Sequence, residues 1–212
     1  MSVAEKLASV RERISRAGRD PNEITIVAVT KGFDASKCQE ALAAGLTILG
    51  ENRVHEGVAK MEAVKGGTWH LIGHLQTNKV RIAVEHFAMI QSVDSKRLAE
   101  AIARVDPGQP VLVEINIARE PQKSGADPDR ALDVIITTAG LLDLKGLMAM
   151  GPSHDDPTAA FIELRTLRDE AQQRLGKALP ILSLGMSGDF EAAVAAGSTM
   201  LRLGQALFGP RP

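Results

Sequence analysis

Eight short apolar runs, rich in β-branched residues, alternate along the chain with longer stretches whose apolar residues follow a helical spacing. Runs of this length and composition are typical of strands that are buried on both faces. The predicted strands, in chain order, are residues 24–30, 46–49, 68–72, 87–93, 111–117, 144–150, 179–184 and 199–203.

The segments between these strands begin with residues that favour helix N-termini. Residues of this kind occur at Asp34, Asp94-Ser95 and Asp127-Pro128. An extra helix is predicted before the first strand, because Ser2 and Glu5 have the spacing of a capping box. Its apolar face is formed by Leu7, Val10 and Ile14.

Strands that alternate with helices predict a parallel sheet covered on both faces. Eight such units favour closure into one (β/α)8 TIM barrel, expected to occupy residues 1–212 as a single domain. The main alternative is an open doubly wound sheet, which would carry a glycine-rich dinucleotide loop after its first strand. The junction 29–33 reads VTKGF and lacks that loop.

The composition of the chain bears on which classes of binding partner are expected. The 212 residues are 44% hydrophobic and 24% charged, and the formal net charge is −1, which gives no electrostatic reason to expect nucleic acid or an anionic membrane. No apolar run has the length of a membrane span, and the first residues lack a signal-peptide core. With only one cysteine, a cytoplasmic protein is expected. The absence of tyrosine excludes any mechanism that needs a phenol.

Active sites of β/α barrels lie at the carboxyl ends of the strands. Lys31 follows the first strand there, and partial desolvation would make its amine a nucleophile, although the position taken alone is better explained by a lysine that reaches into solvent. Asn52 follows the second strand, as a hydrogen-bonding group or as a helix cap. His70 and His74 stand too far apart on a strand to share a metal, so no metal site is predicted, and His74 alone is expected to reach the pocket.

Two further lysines deserve separate interpretations. Lys123 follows the fifth strand, either as a second lysine of the barrel mouth or as a solvated loop charge. Lys145 invites a Schiff-base aldolase interpretation, but it lies at the beginning of the sixth strand, near the opposite end of the barrel.

The most specific pattern follows the last two strands. Ser187 is expected at the N-terminus of a helix over 190–196, where backbone N–H groups and a hydroxyl form an anion site. Gly204, after the eighth strand, permits close approach of backbone N–H groups to the same anion. Arg202 either binds that anion or faces a ring nitrogen and keeps it unprotonated.

An anion site opposite an amine, with a cationic partner for a ring, fits pyridoxal 5′-phosphate (PLP) held as a Schiff base on Lys31. No metal belongs to this site. The residues expected to bind the cofactor are Lys31, Asn52, His74, Met186, Ser187, Arg202, Gly204 and Gln205.

A set of ordered motifs over nearly the whole chain resembles the pyridoxal phosphate homeostasis protein family. The matching segments are 27–31 (VAVTK), 49–53 (LGENR), 69–79 (WHLIGHLQTNK), 123–125 (KSG), 148–151 (MAMG), 185–187 (GMS), 202–204 (RLG) and 208–209 (FG). The resemblance implies a monomeric barrel that carries PLP on Lys31, contacts its phosphate through Ser187 and Gly204, and turns Arg202 toward the pyridine nitrogen. It implies no firmly assigned reaction.

Two positions depart from the family pattern. Gln205 stands where the family usually has threonine, which changes one expected phosphate contact. Gly32-Phe33 replaces the more usual polar pair after the lysine, which would alter access to the pocket.

Three functions from different classes follow from these residues. The first is a binding protein that stores PLP, protects it and passes it to PLP-dependent apoenzymes. The second is a weak amino-acid racemase, since the barrel also resembles the N-terminal domain of alanine racemases; the tyrosine base of those enzymes is missing, and Lys123 or His74 would have to replace it. The third, a PLP-free aldolase, is disfavoured by the position of Lys145.

Overall fold

The computed structural model describes residues 1–210, and residues 211 and 212 of the predicted domain lie outside the described part. Its eight parallel strands close into a barrel in sequence order, with β1 paired to both β2 and β8. The strands are β1 Thr25–Val29, β2 Ile48–Glu51, β3 Thr68–Leu71, β4 Met89–Val93, β5 Pro110–Ile115, β6 Asp143–Ala149, β7 Ile181–Ser183 and β8 Met200–Leu203. The (β/α)8 prediction is confirmed.

Helices follow each strand on the outside of the barrel. They are α1 Val3–Arg16, α2 Ala35–Ala43, α3 Val54–Ala63, α4 Val80–His86, α5 Lys96–Ala103, α6 Ala131–Leu141, α7 Thr158–Leu175, α8 Phe190–Ala195 and α9 Gln205–Phe208. Short 3₁₀ turns cover Pro21–Glu23, Thr77–Lys79 and Pro128–Arg130.

The extra N-terminal helix α1 forms as its sequence predicts. The Ser2 hydroxyl accepts from the Glu5 N–H, and the Glu5 carboxylate accepts from the Ser2 N–H, which completes the capping box. Leu7, Val10 and Ile14 are buried, so the apolar face of α1 packs into the main core.

The main core lies between the barrel and its helices. Strand residues alternate between this outer core and the barrel interior, as the period of a strand requires. On β1, for example, Ile26 and Ala28 belong to the outer core, while Val27 and Val29 do not. A separate small cluster of Met89, Leu112 and Met148 fills part of the interior.

Several strand ends were predicted too long. The second predicted strand begins at residue 46, but β2 begins at Ile48. Leu46 is a buried residue of the preceding loop, and it packs into the core without belonging to a strand. Strand β7 begins at Ile181 rather than 179, because Pro180 has no N–H to donate to a ladder. Strand β5 is displaced toward the N-terminus and ends at Ile115, and the Asn116 N–H bonds to the Ala126 carbonyl instead of continuing the strand.

Candidate functional site

Lys31 sits in a tight turn directly after β1. The Phe33 N–H donates to the Thr30 carbonyl across 3.0 Å, and Gly32 between them has a φ of +75°. A hydrogen bond between the first and fourth residues, with glycine at a positive φ in the third position, is the pattern of a type II turn. Lys31 occupies the second position of this turn and is partly exposed at the carboxyl end of the barrel.

Gly204 lies beside the strand that leads to Lys31. The β1–β8 register pairs Ala28 with Leu203, so Val29 and Gly204 come next to each other. A Cβ on Gly204 would stand 3.3 Å from the Val29 carbonyl oxygen, which is a tight contact. The end of β8 therefore approaches the end of β1 closely, two residues before the lysine.

Ser187 connects the loops after β7 and β8. Its hydroxyl accepts a 3.0 Å hydrogen bond from the Ala206 N–H in the first turn of α9. The helix predicted over 190–196 is present as α8, Phe190–Ala195, but its N-cap is Asp189, so Ser187 lies two residues before the cap and does not cap the helix. The structure nevertheless brings the two loops together, as an anion site between them requires.

Met186 and Gln205 flank this contact with exposed side chains. The Met186 N–H donates to the Asp189 carboxylate across 2.6 Å, which orders the loop before α8. Gln205 is the first residue of α9. Gly185, just before this loop, has a φ of +93°, and a Cβ there would clash with Ala193 at 2.7 Å. The loop conformation is thus set by main-chain geometry.

Arg202 points into the barrel interior below this loop and is 5% exposed. Its guanidinium donates to the Ser183 carbonyl, the Ser183 hydroxyl and the Ala149 carbonyl at 2.7, 2.8 and 2.8 Å. Burial lowers the pKa of Arg202 to about 10, although the charges of Glu114 and Asp189 oppose this change. Arg202 therefore remains a cation at neutral pH.

A chain of buried hydrogen bonds continues from Arg202 across the interior. The Ser183 hydroxyl donates to the Gln91 amide oxygen across 2.8 Å, and the Gln91 amide nitrogen lies 2.9 Å from His70 Nδ1. Burial lowers the pKa of His70 to about 4. His70 is therefore neutral near pH 7 and accepts from Gln91.

Glu114 on β5 was missed by the sequence analysis. It is 2% exposed, and burial raises its pKa to about 7, while the Arg202 charge opposes the rise. Its Oε2 is buried and has no hydrogen-bond partner within residues 1–210. A single charged residue inside the apolar run 111–115 was the signal that could have identified it.

Asn52 and His74 lie on another flank of the mouth and line a cleft of about 680 Å³. Asn52 does not cap α3, whose N-cap is Arg53, and its buried Oδ1 lacks a partner among the described residues. His74 is largely exposed and contacts Asp94 across 3.1 Å. Met186 lines a different cleft, so the predicted residues surround the mouth rather than one pocket.

The other two lysines are held by ion pairs. Lys123 bonds to Glu120 at 2.9 Å and to the Gly151 carbonyl at 2.7 Å, which joins the loops after β5 and β6. Lys145 pairs with Asp143 at the beginning of β6, far from the mouth. Within residues 1–210 no cluster of three or more histidine, cysteine or acidic residues has the arrangement of a metal site.

Two relatives are similar in sequence to this chain over nearly their full length. A pyridoxal phosphate homeostasis protein from Aquifex aeolicus is 39% identical over 226 residues, covering 100% of this chain and 99% of the relative. A protein of the same name from Escherichia coli K12 is 41% identical over 227 residues, covering 99% of this chain and 97% of the relative.

Solved structures share the fold. PipY from Synechococcus elongatus, solved with PLP bound, has a TM-score of 0.86 and 36% identity, and the match covers 98% of this chain and 100% of PipY. Alanine racemase from Clostridium difficile has a TM-score of 0.78 at 18% identity, over 100% of this chain and 57% of the enzyme, which shows the fold alone.

None of the helices within residues 1–210 is both long and apolar enough to cross a bilayer. The family model described as "Alanine racemase, N-terminal domain" matches residues 5–212. Together with the full-length relatives, this match shows that the chain belongs to the pyridoxal phosphate homeostasis protein family and consists of an alanine racemase N-terminal domain over residues 5–212.

Proposed function

We propose that this protein binds PLP, holds it covalently through Lys31, and serves to store it, protect it and deliver it. The observation that carries the proposal is the PLP-bound structure of PipY, which matches this chain over 98% of its length at 36% identity. The names of the Aquifex aeolicus and Escherichia coli relatives support a role in PLP homeostasis.

The residues present fit the three polar parts of the cofactor. Ser187 and Gly204, with the adjoining Met186 and Gln205, offer a phosphate site formed by two loops that already contact each other. Arg202 is a buried cation suited to the pyridine nitrogen. Asn52 Oδ1, which lacks a hydrogen-bond partner among residues 1–210, provides hydrogen-bonding capacity on the remaining flank together with the nearby His74. When bound, PLP supplies an aldehyde carbon that accepts an amine.

The surroundings favour retention of the cofactor over turnover. With PLP bound, the Arg202 guanidinium would face the pyridine nitrogen and keep it unprotonated, which would weaken the ring as an electron sink. The chain has no tyrosine to act as a second base, and Lys123 is held by Glu120 and Gly151. The proposal therefore assigns no reaction to the protein.

Delivery would place the protein in the cytoplasm, with PLP-dependent apoenzymes as recipients. A monomeric state is what the family resemblance implies. The single cysteine suits a reducing compartment. Sequestration is chemically sensible, because free PLP is an aldehyde that reacts with the amines of other proteins.

Borohydride reduction followed by peptide mapping tests the proposal. The protein loaded with PLP should be yellow, and reduction should attach the cofactor to the peptide that contains Lys31. Lys31→Ala should abolish this attachment yet retain PLP through the phosphate site, whereas Lys145→Ala at the opposite end should behave as wild type. A protein that takes up no PLP, or that carries the label elsewhere, would refute the proposal.

Deuterium exchange at the α-carbon of alanine distinguishes a racemase from a PLP-binding protein. Exchange at enzyme-like rates, lost in Lys31→Ala, would favour a racemase over a binding protein. A rate no higher than that of free PLP agrees with storage and delivery.

A further inference from the structure

The turn that carries Lys31 is fastened to helix α3 by charged side chains. The Lys60 ammonium donates to the Thr30 carbonyl across 2.7 Å, so the peptide group before Lys31 is held from outside the strand. The Glu56 carboxylate accepts from the Gly32 N–H across 3.0 Å, so the peptide group after Lys31 is held as well. Both main-chain links of Lys31 are therefore fixed by one helix.

These two side chains form one network with Glu51. Lys60 Nζ lies 2.6 Å from Glu51 Oε1 and 3.0 Å from Glu56 Oε1. Glu56 and Lys60 are four residues apart on α3, a spacing that places them on the same face. The Thr30 hydroxyl also donates to Glu51 Oε1 across 2.6 Å. The turn thus bonds to both carboxylates of the network, to Glu51 through the Thr30 hydroxyl and to Glu56 through the Gly32 N–H.

Burial makes the network rigid. Lys60 is 8% exposed and Glu51 is fully buried. Burial disfavours the charged form of Lys60, but the hydrogen bonds that Lys60 donates to Glu51 and Glu56 outweigh this effect and raise the pKa of Lys60. An ammonium buried between two carboxylates stays charged, and charge-assisted bonds of this kind are stronger than neutral ones.

We propose that Glu56, Lys60 and Glu51 are positioning residues, which hold the type II turn so that the Lys31 amine meets the PLP aldehyde in a reactive geometry. This inference rests on the proposed function. In the step concerned, the amine nitrogen bonds to the aldehyde carbon, the nitrogen loses its protons, and the carbonyl oxygen leaves as water. The product is an imine, and no redox partner is needed.

Glu56→Ala tests the role of the anchor on the Gly32 side. Glu56 is the most accessible member of the network, with a side chain that is 30% exposed, so the barrel should tolerate its loss. We expect the rate constant for imine formation at saturating PLP, measured by stopped-flow absorbance, to fall about tenfold because the amine is no longer held in an attack geometry. Affinity for pyridoxine 5′-phosphate, which lacks the aldehyde, should change by less than about twofold.

Two further variants control for a merely structural effect. Glu62→Ala removes an exposed glutamate from the same helix and should leave the rate unchanged. Glu56→Gln keeps an oxygen that accepts from the Gly32 N–H and should restore most of the rate. A purely structural role would lower the melting temperature of Glu56→Ala without changing the rate.

The double variant Glu51→Met/Lys60→Met tests the anchor on the Thr30 side. Replacing a buried ion pair as a whole by apolar residues of similar size often preserves stability. This variant should fold, retain pyridoxine 5′-phosphate binding and form the imine slowly.

The outcomes separate the two proposals. If wild type forms no imine on Lys31, the proposed function itself fails. If wild type forms it and both Glu56→Ala and the double variant match the wild-type rate, only the positioning proposal is overturned.

Discussion

The two sides of the barrel mouth are stabilised by different kinds of interaction. On the amine side, the turn after β1 is held by buried charged side chains of β2 and α3, chiefly Glu51 and Lys60. On the anion side, the loops after β7 and β8 are held by main-chain geometry, by the positive φ of Gly185 and by one hydroxyl contact from Ser187. From this difference we expect that changes on the amine side alter the rate of imine formation, whereas changes on the anion side alter cofactor affinity and stability.

A layer of buried hydrogen bonds crosses the barrel interior beneath the mouth. Arg202 starts this layer on β8, and His70 ends it on β3. Because the layer has almost no access to water, changes within it should affect the stability of the whole barrel more than changes at either side.

Replacement of Arg202 by methionine should produce the largest loss. Arg202→Met leaves the carbonyls of Ser183 and Ala149 without their donor and leaves the Glu114 carboxyl without a cation. We expect a loss of about 3–5 kcal/mol in the free energy of unfolding, measured by urea denaturation. Arg174→Met on the surface of α7 is the control and should cost less than about 0.5 kcal/mol. Equal losses in the two variants would contradict a central role for the layer.

A side chain at Gly185 should distort the anion side. Gly185→Ala combines a φ of +93° with a 2.7 Å clash against Ala193, so we expect a loss of about 2–3 kcal/mol. Gly140→Ala meets nothing within 4 Å inside helix α6 and should be neutral or stabilising. Thermal and urea unfolding of both variants measure the difference, and a stable Gly185→Ala would show that the loop adapts freely.

The charge of Glu114 should make stability depend on pH. Burial raises the pKa of Glu114 from 4.5 in the unfolded chain to about 7 in the folded one. Between these values folding takes up a proton, so this contribution is complete below about pH 4.5 and is lost as the pH rises through about 7. Glu114→Gln cannot ionise and should gain about 1–2 kcal/mol over wild type at about pH 8 relative to about pH 5.

Urea denaturation at both pH values measures this change. Glu100→Gln, at an exposed position of α5, should show no such pH dependence. A wild-type stability that rises between pH 5 and pH 8 in step with Glu114→Gln would contradict the assignment.

Replacement of Ser187 by alanine should have the smallest effect on stability, and it tests whether the two sides of the mouth have different roles. Ser187→Ala removes the acceptor of the Ala206 N–H, which should cost about 1 kcal/mol. Affinity for pyridoxine 5′-phosphate should fall about fivefold, because a hydrogen bond to a charged phosphate is lost. The rate constant for imine formation at saturating PLP should remain unchanged, which is the reverse of the result expected for Glu56→Ala. Ser15→Ala on the exposed face of α1 is the matched control.

Much of the barrel follows from local patterns. The eight apolar runs, the capping box of α1 and the lysine after the first strand are all visible in sequence, because the period of buried positions directly determines strand and helix. The ends of strands were less predictable. Leu46 is apolar because it packs into the core from a loop, and a burial pattern alone does not distinguish that from a strand.

The chain by itself determined the class of fold, its family and the placement of Lys31, Ser187 and Gly204 at strand ends. Tertiary structure alone decided that Lys60 and Glu56 reach from α3 to the turn around Lys31, and that Ser187 contacts the N–H of Ala206 rather than capping α8. The physical reason is the separation along the chain of the residues that determine each feature. Strand order and periodicity are local properties, whereas a side chain that crosses from one β/α unit to another depends on closure of the barrel, which no sequence window contains.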